Sequence, residues 1–62
     1  MPLVHVVWFP QELDAKRRVA KGMMEVLVKE LQCPPQAVDV VFHDTPRENF
    51  SHAGVLRVDE QK

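Results

Sequence analysis

Two short runs of β-branched and aromatic residues flank one long helical pattern, and this order is the feature that most limits the fold. Residues 3–9 stop at Pro10 and predict a first strand, and residues 38–43 predict a second. Between the runs, apolar residues recur at helical spacing as far as Leu31, with Asp14 as the predicted N-cap. A strand, a helix and a strand form a β-α-β unit with parallel strands and a right-handed crossover. The predicted fold class is therefore α/β.

The remaining segments are short and contain the usual breakers of regular structure. Pro34 and Pro35 end the helical pattern, because proline lacks the amide hydrogen that a helix interior needs. Residues 47–54 are predicted to form a loop, and residues 55–58 a short third strand. With 62 residues in all, we expect one domain over residues 1–62.

These elements present more apolar surface than one subunit can cover. Because side chains alternate along a strand, one sheet face packs against the helix and the other does not. The predicted helix-facing residues are Val4, Val6, Trp8, Val38, Val40 and Phe42. The opposite face carries Leu3, His5, Val7, Phe9, Asp39, Val41 and His43. The apolar arc of the helix spans roughly 200°, twice the ~100° that a surface helix needs. Since Cys33 is the only cysteine, no internal disulfide can stabilise so small a core, and we expect a homo-oligomer.

Charge and hydropathy exclude several classes of protein. The formal net charge is -1 and the eight basic residues are spread along the chain, so we expect no nucleic-acid partner. The longest apolar run is too short to span a membrane, and the chain does not start with a signal-peptide pattern. A cytoplasmic protein without a membrane partner is therefore expected. His5, His43, His52 and Cys33 lack metal-ligand spacing, so we predict no metal site.

The start of the chain carries the candidate for chemistry, because Met1-Pro2 leads directly into the first predicted strand. Methionine before a residue as small as proline is normally removed, which leaves Pro2 with a free secondary amine. An α-amino group has a pKa of about 7.7–8.0, and an apolar environment lowers this pKa by penalising the charged form. Pro2 is thus a candidate general base near neutral pH.

The order of these features resembles the 4-oxalocrotonate tautomerase family over the whole chain. The resemblance rests on residues 2–4, on residues 31–41 and on the Phe-x-x-x-Gly segment within residues 47–54. It implies a β-α-β fold with a short hairpin, and subunits assembled as a dimer or as a hexamer built from dimers. It also implies a small-molecule substrate and no cofactor, because an amine base is sufficient to move the proton of an enol.

The resemblance assigns roles to individual residues. Pro2 matches the family's catalytic base, and Phe50 matches the aromatic wall that keeps the pocket apolar. We expect Arg47 to bind a carboxylate or carbonyl group of the substrate and Phe9 to line the edge of the pocket. His52 lies two residues after Phe50, where hydrolytic dehalogenases of the superfamily place an acid that activates water.

Two positions depart from the family pattern. Glu12 and Asp39 stand where the family has its two substrate-binding arginines, which bind carboxylates through paired hydrogen bonds. We therefore expect a substrate with one carboxylate or none, such as a small 2-oxo acid or an aromatic enol. A hydratase or dehalogenase that uses Pro2 and His52, and an oligomeric module without catalytic activity, are the alternatives.

Overall fold

The computed structural model of the chain describes residues 2–60. Its helix and strands are β1 (Leu3–Trp8), α1 (Leu13–Leu31), β2 (Asp39–Asp44), β3 (Ser51–His52) and β4 (Val55–Leu56). Short 3-10 turns lie at Pro35–Ala37, Arg47–Asn49 and Arg57–Asp59.

The first two strands form the predicted parallel pair. Leu3 is opposite Asp39 and Trp8 is opposite Asp44, with α1 between the strands in sequence. The β-α-β prediction is therefore confirmed. Its boundaries shift slightly, because Phe9 lies in a bend after β1 and the second strand covers residues 39–44 rather than 38–43.

The helix starts one residue before the predicted N-cap, so the prediction for Asp14 is wrong. Glu12 is the N-cap, with an extended backbone and no side-chain capping hydrogen bond. Asp14 instead lies in the first turn and accepts a hydrogen bond of 2.6 Å from Arg17. The helix ends at Leu31 as predicted, and Gln32 adopts a left-handed conformation with φ of 55°. No helix within residues 2–60 is long and apolar enough to cross a membrane.

The segment after β2 contains a hairpin rather than the predicted loop and third strand. Ser51 pairs with Leu56 and His52 with Val55 in antiparallel register. The two residues between these strands, Ala53 and Gly54, have φ values of 53° and 83°, as a type I′ turn requires. Residues 57–58, predicted as strand, belong to a 3-10 turn. The hairpin that the family resemblance implied is therefore confirmed.

The helix packs on one face of the β1–β2 pair, and the side chains between helix and sheet are only partly buried. Trp8 and Phe42 stack with their ring centroids 5.0 Å apart, and Trp8 Nε1 donates a 2.9 Å hydrogen bond to Asp44. Lys16 of α1 forms an ion pair with the same carboxylate. Even so, no side chain of residues 2–60 is fully buried in the single chain.

Two apolar surfaces remain open. The sheet face opposite the helix keeps Leu3 57% and Val7 62% exposed, and it also carries His5 and His43, whose ring nitrogens are 2.7 Å apart. The second surface is a groove of about 500 Å³ where α1 meets β1. The groove is lined by Val4, Val19, Gly22, Met23, Val26 and Leu27. Both surfaces agree with the predicted homo-oligomer, which remains a prediction.

Candidate active site

Three of the residues singled out in the sequence meet at the C-terminal end of β1. The rings of Phe9 and Phe50 are in contact, with their centroids 5.3 Å apart and their planes tilted by 53°. The guanidinium group of Arg47 lies over the ring of Phe9, 4.5 Å from its centroid. An arginine over an aromatic face is attracted by the negative charge of the ring face.

A second arginine, which the sequence analysis did not single out, also lies beside these rings. The guanidinium group of Arg57 lies over Phe50, 5.6 Å from the ring centroid. Its position follows from the hairpin, because residues 50 and 57 flank the paired strands and the amide of Arg57 donates a 2.7 Å hydrogen bond to the carbonyl of Phe50. We call Arg47, Phe9, Phe50 and Arg57 the aromatic–arginine cluster.

Glu60 contributes the negative charge beside this cluster. Nη1 of Arg57 donates to both carboxylate oxygens of Glu60 at 2.8 Å. This hydrogen bond holds the pKa of the Glu60 carboxyl below its ordinary value, and the charges of His52 and Arg47 lower the same pKa further. His52 itself is an exposed residue of β3. Arg47 and Arg57 are the cations of the cluster, and Glu60 is the carboxylate in direct contact with it.

Pro2 lies at the opposite end of β1. It is half-buried, and its carbonyl oxygen accepts a 3.0 Å hydrogen bond from the amide of Asp39. The strand that separates Pro2 from Phe9 has six residues, and at ~3.3 Å per residue its ends are about 20 Å apart. Within one chain, the candidate base and the aromatic–arginine cluster therefore do not share a pocket. The predicted removal of Met1 concerns a residue outside the described range.

The two acidic residues expected at the positions of the family's arginines lie one at each end of the strand pair. Asp39 is the first residue of β2 and is exposed beside Pro2. Glu12 is exposed at the start of α1, close in sequence to Phe9. A substrate that reached either end would meet a carboxylate.

The comparison with protein-family models decides the family. The model of the tautomerase enzyme family matches residues 2–60, so the match begins at Pro2. The chain belongs to the tautomerase family. A probable tautomerase from Ralstonia nicotianae is 33% identical over 61 residues, which are 97% of this chain and 94% of that protein. The expected family resemblance is thus confirmed.

Solved structures of tautomerases have the same fold. A 4-oxalocrotonate tautomerase isozyme from Methylibium petroleiphilum matches with a TM-score of 0.84 and 24% identity over 92% of this chain and 94% of the other. A homologue of 4-oxalocrotonate tautomerase matches over the full length of both chains, with a TM-score of 0.91 and 22% identity. At these identities the two structures support the fold alone.

Arg57 and Glu60 are the site residues that sequence reasoning missed. The signal that would have found Arg57 is Ala53-Gly54, since a two-residue turn at this point puts residue 57 opposite residue 50. Glu60 has a weaker signal, because its position three residues after Arg57 becomes informative only once a helical turn is assigned there.

Proposed function

We propose that this tautomerase-family protein interconverts the enol and keto forms of a small 2-oxo acid with a single carboxylate, or of an aromatic enol, with Pro2 as the general base. The main support for the proposal is the family match, which begins at Pro2. Pro2 lies at the start of β1, and the aromatic–arginine cluster lies at the other end of this strand.

The proposed reaction requires only the movement of one proton. The free amine of Pro2 takes the proton of the enol hydroxyl group, so that the O–H bond breaks and a carbonyl forms. The resulting ammonium returns a proton to the far carbon of the former C=C bond, which forms a C–H bond and restores the amine. A base with a pKa close to the working pH performs both steps well.

The proposal requires two copies of the chain for one site, because Pro2 and the aromatic–arginine cluster are about 20 Å apart along one strand. Within residues 2–60, β1 pairs only with β2 and leaves its other edge open beside the apolar groove. When two such edges pair antiparallel, the start of β1 in one copy meets the end of β1 in the other. Pro2 of one copy then lies near Phe9 and Phe50 of the second copy.

Electrostatics supports a substrate with few charges. Arg47 supplies a cation for one carboxylate or for the carbonyl oxygen, and Phe9 and Phe50 supply an apolar surface for a ring. A second carboxylate on the substrate would approach Asp39 or Glu12, and like charges at short distance repel. The dicarboxylate substrate class is therefore disfavoured.

A comparison of two enols tests this proposal. The purified protein is first checked by intact mass for loss of Met1, and kcat/KM is then measured with the enol of phenylpyruvate and with 2-hydroxymuconate. We expect the higher kcat/KM with the phenylpyruvate enol. A clear preference for 2-hydroxymuconate would refute the assignment of substrate class, and no turnover of either enol by the processed chain would favour a module without catalytic activity.

A further inference from the structure

Arg57 is the one member of the aromatic–arginine cluster to which the proposed mechanism gives no role. Its side chain is partly shielded from solvent, and its guanidinium group lies against the same Phe50 ring that is proposed to wall the pocket. Any ligand that packs on the exposed edge of this ring therefore lies close to the positive charge of Arg57.

The contact between Arg57 and Glu60 contains the same groups as a complex between Arg57 and a carboxylate ligand would. A carboxylate is bound by a guanidinium group beside an aromatic ring, at 2.8 Å to each oxygen. Only Nη1 takes part in this contact, whereas Nε is shielded from solvent and has no hydrogen-bond partner within residues 2–60. Glu60 thus occupies Arg57 without using the paired N–H groups that bind a carboxylate most strongly.

The pair is also easy to separate. Arg57 and Glu60 are three residues apart across one 3-10 turn, and their side chains are 29% and 34% exposed. Ion pairs of such exposure contribute little to stability, so a carboxylate from solution competes with Glu60 at a small cost in free energy.

We propose that Arg57 binds the carboxylate of the substrate and that Glu60 is an internal competitor which occupies Arg57 in the free protein. The inference rests on the proposed function, since it names the residue that recognises the single carboxylate of the substrate. Arg47 over Phe9 then remains for the carbonyl oxygen, and the substrate's apolar part packs on Phe50. The ligand class is an aryl-substituted monocarboxylate.

Binding of phenylacetate tests the inference without catalysis. Calorimetry compares the parent protein with Glu60→Gln, which removes the competing charge, and with Asp59→Asn, which removes the same charge from the adjacent position. We expect Glu60→Gln to bind phenylacetate about fivefold more tightly than the parent, as the loss of one partly exposed ion pair allows. Asp59→Asn should bind like the parent. Equal affinities of the two variants would overturn the inference.

A second pair of variants examines Arg57 itself. Arg57→Lys keeps the charge but loses the planar group that pairs with a carboxylate and stacks on a ring, so we expect weaker binding of phenylacetate. Arg18→Lys, the same change at an exposed helix position, is the matched control and should bind normally. The ¹⁵N–Hε resonance of Arg57, assigned by its loss in Arg57→Lys, should shift on titration. A resonance that does not move, or normal binding by Arg57→Lys, would refute the role of Arg57.

Kinetics separates the inference from the proposed function. If phenylpyruvate enol is a substrate, Glu60→Gln should lower KM and leave kcat nearly unchanged, because the freed guanidinium binds the carboxylate in substrate and transition state alike. If the protein turns over no enol, the proposed function fails, whereas the phenylacetate titrations still decide whether Arg57 and Glu60 form a carboxylate site.

Discussion

A single charge in the groove between α1 and β1 should dissociate the assembly on which the proposed site depends. Val26 lines this groove and is 58% exposed in the single chain. Complete burial of a valine side chain is worth about 2 kcal/mol, so covering the exposed part of Val26 contributes about 1.2 kcal/mol per copy. A symmetric contact counts this contribution twice, which gives about 2.4 kcal/mol, or roughly 50-fold in the dissociation constant.

Val26→Asp loses this contribution and also places one carboxylate per copy in an apolar interface. Burying an unpaired charge costs several kcal/mol, so the dissociation constant should rise by more than about 1,000-fold. Sedimentation velocity at low micromolar concentration is the assay, with Gln36→Asp as a control that adds the same charge at an exposed position. The control should sediment as the parent oligomer and Val26→Asp as a monomer. An intact Val26→Asp oligomer would refute the assignment of this groove to self-association.

Three further predictions concern stability and activity. Ala53→Asn should raise the free energy of unfolding by about 0.5–1 kcal/mol, measured by urea denaturation, because Ala53 has a φ of 53° and asparagine tolerates this conformation better than alanine. The hydrogen bond from Lys16 lowers the pKa of Asp44 below 3.8, so Asp44 stabilises the fold above about this pH and loses that effect as the pH falls through its lower folded-state pKa. Asp44→Asn should therefore be less stable than the parent at pH 7, with the difference in urea denaturation shrinking in stronger acid. Asp39→Asn, which removes the carboxylate beside Pro2, should improve kcat/KM for 2-hydroxymuconate relative to the phenylpyruvate enol; an unchanged ratio would show that Asp39 does not repel the diacid.

Local pattern was sufficient to predict the β-α-β unit. The strands predicted at residues 3–9 and 38–43 agree with β1 and β2 to within about one residue. Short β-branched runs that end at proline or polar residues seldom form anything other than a strand. The N-cap prediction failed because Asp14 has the right side chain for a cap but forms its contact with Arg17 in the first turn. Propensity identifies residues suited to a cap and does not decide which of several neighbours takes the position.

The C-terminal segment was harder to predict because its strands have only two residues each. Neither strand is long enough for its alternation to be recognised, and alanine is an uncommon first residue of a type I′ turn. Without the register, nothing in the sequence places Arg57 beside Phe50. The same limit applies to the contact between Phe9 and Phe50, which depends on where the hairpin lies relative to the end of β1.

The central claim is that the amine of Pro2 is the base, and the rate of Pro2→Ala tests it most directly. Alanine keeps a processed N-terminus but replaces the secondary amine and removes the ring that fixes φ. One positioned acid–base group contributes typically ~10²–10⁴-fold, so kcat/KM for the phenylpyruvate enol should fall within this range while the oligomer stays intact. The variant and the parent are compared after intact mass has verified that both lack Met1. A rate equal to that of the parent would contradict the account, because neither the secondary amine nor the ring of Pro2 would then contribute to catalysis.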